Sequence, residues 1–499
     1  MRTWSESFRA SLSPRVISML FLGFSAGVPI LLVFSTLSVW LREAGVERAT
    51  IGFFSWAALA YGFKVVWAPV VDRLPLPVLG GLLGQRRSWL LVAQASIIAA
   101  LLLQALNDPT ENLATAAVFA IMLGFSSATQ DIVIDAYRIE AADREMQGLM
   151  SASYIAGYRI GMITASAGAL SVAGFFDPDK NTYQHIPWIY AFIAMAGVMG
   201  IGVVTTLIVP EPTRQTSGTK EWAATDYLRF LATFAALVAV FASIFLLTSD
   251  LVGPNGGVEG FLFQAARLAI AVGAAIVAGI VLVRAGVVPR AMAVETYVAP
   301  FANFFSRYGR AAILILALIS TYRIADIVMG VMANVFYVDL GFEKQEIGWI
   351  SGGFGLAMTI VGTFLGGLLI LRYGILRILF VGGLLAAGTN VLFAFLATQG
   401  NVLPLLMAVI AADNLSGGIA AAAFVAYLSS LTSTRFTATQ YALFSSIMLL
   451  LPKLIAGYSG LIVDAVGYAP FFIGTACLGI PVLAMIVFIA RLTLASQTD

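Results

Sequence analysis

One cysteine and one histidine are all that 499 residues contain of the two softest metal-binding side chains. Cys477 sits alone inside an apolar run, so a disulfide framework is excluded. His185 falls in an expected loop. Zinc and haem sites need more soft ligands than this, and no metal or other cofactor is expected. Charge is scarce too. Asp, Glu, Lys and Arg make up 11% of the chain, against roughly 25% in soluble domains. The net charge of +2, with no long basic block, gives no reason to expect a nucleic-acid partner.

What is abundant is hydrophobic surface, at 60% of residues. It comes as long continuous runs rather than the short alternating segments of a membrane barrel, so the chain reads as an all-α integral membrane protein in contact with the lipid bilayer. Runs of spanning length fall near 16–40, 51–71, 89–106, 113–137, 149–173 and 187–209, then 227–248 and 261–284. Six more fall near 310–338, 347–371, 376–397, 402–430, 440–463 and 469–490. That makes about 14 spans. The first lacks a signal-peptidase site and reads as retained.

Arginines gather in alternate loops: Arg73, Arg86, Arg87, Arg138, Arg144, Arg214, Arg290, Arg307, Arg372, Arg377 and Arg435 on one side, few cations on the other. Positive loops stay inside, so both termini are expected in the cytoplasm. The halves repeat. "LREAGVERATIGFFS" (41–55) and "VDLGFEKQEIGWIS" (338–351) share the spacing from Gly45 to Ile51-Gly52 and Ser55, and from Gly341 to Ile347-Gly348 and Ser351. Residues 1–210 and 310–499 are therefore expected to form two six-helix bundles, with linkers and a two-helix insert at 211–309, the layout of a duplicated transporter. In the insert, Arg267 is expected to snorkel toward the membrane surface.

Eight charges lie inside expected spans: Lys64, Asp131, Asp135, Arg159, Arg323, Asp326, Asp413 and Lys453. They sum to zero. At about 2.5–3.5 kcal/mol each at the bilayer centre, eight unpaired charges would cost on the order of 20–28 kcal/mol, more than most proteins have to spare. They must face one another or a wet cavity between the halves. In "TQDIVIDAYRIE" (129–140), Asp131, Asp135 and Arg138 share one helical face. Asp131 lies deeper and Asp135 nearer the edge, so Asp131 is expected to take up a proton and Asp135 to help release it. Asp326 and Asp413 are competing carriers.

Arg323, Asp326, Gly330, Asn334 and Tyr337 form a second polar stripe, and Tyr61 lies one turn from Lys64. Gly157, Gly161, Ala165 and Gly168 make a small-residue packing face, with Arg159 on roughly the opposite side. Tyr61, Tyr154, Tyr158, Tyr337 and Tyr427 could stack on sugar rings, and Asn414 adjoins Asp413. Asp72, Arg73, Arg86 and Arg87 sit at a membrane edge, where they read equally as a gating latch or a topology signal. Any single buried pair can also be purely structural, and Glu140, at a helix end, is not read as a proton carrier.

"FLGFSAGVPILLVFSTLSVWLREAGVERATIGFFS", "YGFKVVWAPVVDR", "TQDIVIDAYRIE", "GYRIGM" and "FTATQYALFSS" together resemble the AmpG family of muropeptide permeases, within the major facilitator superfamily. The resemblance runs through both halves. It implies a major facilitator superfamily fold with two extra helices, and proton-driven import of N-acetylglucosaminyl-1,6-anhydro-N-acetylmuramyl peptides from periplasm to cytoplasm for peptidoglycan recycling. It also implies a link to β-lactamase induction. The family's acidic motif falls on Gln130, Asp131 and Asp135, its Gly-Tyr-Arg motif on Tyr158 and Arg159, and its second-half motif on Thr439 and Gln440. Carboxylates on such a cargo would pair with Lys64, Arg159, Arg323 or Lys453. Siderophore and coenzyme A ester carriers share the scaffold. A membrane enzyme would need a nucleophile and base that this chain does not offer, and a receptor would need a sensing domain. A monomer is expected.

Overall fold

The computed structural model describes residues 10–46, 59–76, 78–177, 182–212, 222–248, 258–456 and 458–495. Part of the first repeat motif (47–55) lies outside them. Every regular element among the described residues is helical. Among the described residues, eleven helices are long and apolar enough to cross a membrane.

The chain divides into two compact units. The larger one comprises 1–71, 75–214 and 308–499. Its first half contains α1 (Pro14–Leu31), the short α2 (Leu59–Phe63), α3 (Gln85–Leu106), α4 (Leu113–Glu140), α5 (Gln147–Ile163) and α6 (His185–Ile208). The smaller unit, 72–74 and 215–307, is built on α7 (Ala224–Leu247), α8 (Val258–Arg284) and most of α9 (Ala299–Tyr308). The second half of the larger unit follows. It holds α10 (Ala311–Thr321), α11 (Ile324–Asp339), α12 (Gly355–Tyr373), α13 (Ile375–Gln399), α14 (Leu403–Leu431), α15 (Thr437–Ala456), α16 (Ser459–Val466), α17 (Tyr468–Cys477) and α18 (Gly479–Ala495).

The packing scheme repeats between halves. α3 lies against α4 and α6 as α13 lies against α14 and α17, and α1 runs along α5 as α10 and α11 run along α15. Small residues set the closest of these approaches. A Cβ added at Gly157 would land on the Leu20 carbonyl oxygen, and one at Gly161 on that of Phe24; reciprocally, Gly23 and Gly27 face the carbonyls of Tyr154 and Tyr158. Packing and close backbone contact replace the hydrophobic drive that lipid removes. Gly362 and Gly418 do the same between α12 and α14.

Several spans are interrupted where polar groups sit. The second breaks into a 3-10 turn at Lys64–Val66. α10 and α11 are separated by a break at Tyr322-Arg323, pinned by the Tyr322 hydroxyl donating to Leu379 O at 3.0 Å. α1 contains Pro29 and passes into a wide π-turn at Leu32–Thr36. α5 ends in a matching one at Thr164–Gly168, and Thr36 Oγ1 donates to Ala165 O across the pair at 3.2 Å. Such turns leave backbone groups in need of partners and recur at functional positions.

In the smaller unit α7 and α8 form an antiparallel pair. Here the expectation for Arg267 is corrected. It is buried, its Nη2 donating to Phe245 O at 2.6 Å and its Nε to Thr248 Oγ1 at 3.2 Å, with the guanidinium over the Phe245 ring. A cation there satisfies the orphan carbonyls at the end of α7.

Candidate functional site

The acidic motif of α4 lies on a buried face. Asp135 is shared by two cations, Lys64 Nζ at 3.6 Å and Arg138 Nη2 at 3.3 Å. Arg138 is fully buried. Its Nη1 donates to Ser151 Oγ at 2.9 Å and, across to the other half, to Ser429 Oγ at 2.6 Å. The guanidinium also sits over the rings of Tyr441 at 5.0 Å and Tyr154 at 5.8 Å. Planar and always charged, arginine suits such a many-partnered site better than lysine.

Asp131, one turn deeper, has a different setting. It is buried and close enough to Lys64 to feel its charge. Yet its Oδ1 has no hydrogen-bond partner. Tyr61, whose hydroxyl donates to Ser127 Oγ at 2.6 Å, and Tyr158 are its electrostatic neighbours.

From there the polar groups continue into the second half. Arg159 is half-buried and has no ion-pair partner among the described residues. It lies close enough to Arg323 for the two like charges to interact. Arg323 pairs with Asp326 at 3.6 Å. Asp326 in turn neighbours Asp413, which accepts from Thr389 Oγ1 at 3.0 Å and neighbours Tyr337. A line of neighbouring groups thus runs from Arg138 through Asp135, Lys64, Asp131, Tyr158, Arg159, Arg323 and Asp326 to Asp413, crossing between the halves.

Three other candidates, Gln130, Gln440 and Asn414, have polar atoms engaged elsewhere. Gln130 is fully buried against α1, accepting from Ser25 Oγ at 3.1 Å and donating to Ser25 O at 3.0 Å. Gln440 Oε1 accepts from the Ser433 amide at 2.8 Å, bracing the turn before α15. Asn414 accepts from Thr359 Oγ1 at 2.7 Å and donates to Ile410 O at 2.9 Å. Tyr427 is buried. Asn334 and Lys453 lie on α11 and α15, and their side chains fall outside the described atoms.

The membrane-edge residues clamp locally. Arg86 makes a two-pronged pair with Glu140 at 2.7 and 2.9 Å, and the Arg87 guanidinium donates to Thr206 O and Leu207 O. Glu211 accepts from both of their amides. These bonds tie α3 to the ends of α4 and α6 within one half. Asp72 is buried, and Arg73 pairs with Glu295 at 3.2 Å.

The residue that does cross between halves, Arg138, has company at the same end. A Cβ on Gly148 would meet Ile370, and one on Gly367 would meet Ala152. At the opposite end several bonds among the described residues lie within one half. Trp40 Nε1 donates to the Tyr183 hydroxyl at 3.2 Å, that hydroxyl donates to Asp108, and Trp188 Nε1 donates to Glu43 at 2.9 Å. Burial works to raise the Asp108 carboxyl, but the Thr110 hydroxyl and amide, His185 and Tyr183 outweigh it and hold it below the usual value. In the second half Tyr468 bonds Asp339, and Asn401 donates to Gly341 O. A recess of about 300 Å³ beside Trp349, Ile350 and Leu403 contains none of the candidates.

Comparison with known proteins places this geometry. Residues 16–213 match the family model described as Acetyl-coenzyme A transporter 1. A putative transporter AmpG 4 of Rickettsia conorii is 29% identical over 95% of this chain and 96% of its own length. The anhydromuropeptide permease of Escherichia coli K12 is 28% identical over 98% of this chain and 82% of its own. The solved major facilitator transporter FucP, in the outward conformation, superposes with a TM-score of 0.61 at 10% identity, covering 96% of this chain and 99% of that one. The proton:xylose symporter XylE gives 0.55 at 12% identity, covering 97% and 95%.

The chain has the major facilitator fold and is similar to the AmpG transporters from end to end. These relatives and solved neighbours are membrane transporters and permeases, not enzymes. The expected resemblance, fold class and multi-pass character all hold.

Proposed function

We propose that the protein imports anhydromuropeptides from periplasm to cytoplasm, driven by protons, through alternating exposure of the line of polar groups between its two six-helix halves. The observation that carries this reading is the contrast between Asp131 and Asp135. Asp135 is held by two cations, so protonating it would break ion pairs that join α4 to the second span and, through Arg138, to the other half. Asp131 has an oxygen with no donor facing it, and can take a proton without losing a bond. Arg159 and Arg323 supply two cations toward an acidic cargo, and Tyr158 and Tyr61 supply ring faces for sugars. The side on which the halves meet carries Arg86, Arg138 and Arg372, and is read as cytoplasmic from the loop charges. The state is then closed inward and open to the periplasm. This placement puts both termini in the cytoplasm of the inner membrane.

A coenzyme A ester is the second reading, favoured by the family model that matches residues 16–213. Uptake of labelled anhydromuropeptide into vesicles, with and without an inward pH gradient, separates the two. Gradient-dependent accumulation that excess unlabelled muropeptide abolishes and acetyl-coenzyme A leaves unchanged is expected. Competition by acetyl-coenzyme A alone would favour the second cargo, and accumulation indifferent to the gradient would remove the proton.

A further inference from the structure

The smaller unit contributes nothing to the line of polar groups, yet one of its faces is unusual. Between α8 and α10 the chain winds through a short helix (Arg290–Ala293), a π-turn (Val294–Val298) and α9. One stripe of this segment is buried: Met292, Thr296 and Phe304. It is anchored by Tyr297 stacked on Phe230 and by Glu295 paired with Arg73. A second stripe, Val294, Val298, Phe301 and Phe305, repeats at steps of four, three and four and is 38–53% exposed. A helical segment with one apolar stripe docked and another left bare, in a chain that crosses a membrane, is built to lie at the lipid interface.

The charges beside it are mostly basic, with Asp226 also on the first turn of α7. Arg284, Arg290 and Arg307 are exposed, as is Arg229 on the first turns of α7. Gly279 faces Leu237 across the α7–α8 pair, so the start of α7 and the end of α8 lie at the same end. From 282 to 307 the sequence has a single acid, Glu295, which is already paired.

We propose that this segment is a docking surface for anionic phospholipid, its apolar stripe in the acyl region and Arg229, Arg284 and Arg290 on the headgroup phosphates. The insert is then a lipid-reading appendage rather than part of the cargo path, and cationic residues near such a surface favour anionic headgroups.

The test uses the full chain with Cys477→Ser, purified in detergent micelles containing equal amounts of phosphatidylcholine and phosphatidylglycerol. Lipid retained through purification is expected to favour phosphatidylglycerol about fivefold. The preference should fall toward parity in Arg284→Gln/Arg290→Gln and survive in Arg284→Lys/Arg290→Lys. A spin label at Val298→Cys, in vesicles of both lipids, should be open to oxygen and closed to an aqueous nickel chelate. Unchanged retention in the Gln variant would overturn the proposal. So would a label open to nickel, showing water over the stripe, or one shielded from both probes, showing a second protein chain there.

Discussion

Arg138 and Arg159 are both arginines inside spans, and their surroundings give them different tasks. Arg138 is surrounded: a carboxylate, two hydroxyls and two tyrosine rings occupy it. Removing it leaves Asp135 with Lys64 alone, and losing one member of a buried charge set costs about 3–5 kcal/mol. Arg138→Ala should therefore lower the thermal midpoint of the purified protein clearly. Arg159 has no ion-pair partner among the described residues to lose. Arg159→Lys should leave the midpoint within a degree or two of the parent, yet raise the KM for cargo about tenfold. The two-pronged grip on a carboxylate goes while the charge stays. An unchanged KM at equal expression would show that Arg159 does not touch cargo.

At the scale of elements, the close approach of α1 and α5 rests on glycine pairs whose missing Cβ atoms make room for carbonyl oxygens. Gly157→Val would force the helices apart, at a cost of about 3 kcal/mol. The readout is the monodisperse fraction in gel filtration, expected to fall sharply. Gly174→Val is the control, because open space surrounds that position. The small-residue face was legible because four small residues at helical spacing have few other uses in a membrane. The breaks in the second and ninth expected spans were not. Nothing in composition distinguishes Lys64 at a 3-10 turn or Arg323 at a helix start from the same residues in an unbroken helix. Arg267 was misread for a similar reason: whether an arginine snorkels or caps a neighbour's end depends on where that neighbour stops.

Across the whole molecule, buried charge was the most legible feature, since lipid makes unpaired charge so costly. Of the eight residues, Lys64, Asp131, Asp135, Arg159, Arg323, Asp326 and Asp413 lie along the line of polar groups, and the Lys453 side chain is outside the described atoms. The gate was less so. Arg138 read as a charge at a helix end, and its partner Ser429 lies 291 residues away; only the folded chain shows that the two halves meet there. Gln130 and Gln440 stood out as motif positions of the resemblance and Asn414 as the neighbour of Asp413, but their amides brace neighbouring backbone and hydroxyls. The meeting of the halves can be tested directly. The Ser151 and Ser429 hydroxyls share one guanidinium nitrogen, so Ser151→Cys/Ser429→Cys in the Cys477→Ser background should cross-link on oxidation. Cross-linking should stop uptake, and a reductant should restore it. Cross-linked protein that transports at the parent rate would show that this end need not open.

The measurement that bears most directly on proton-driven import is cargo flux in vesicles containing Asp131→Asn. The amide cannot take up the proton but keeps the shape of the side chain. Accumulation against a cargo gradient should disappear, while exchange of labelled for unlabelled cargo continues at a comparable rate. Asp326→Asn, by contrast, should impair both, because it leaves Arg323 without its carboxylate. Uphill accumulation by Asp131→Asn that a protonophore then abolishes would place the coupling proton on another residue.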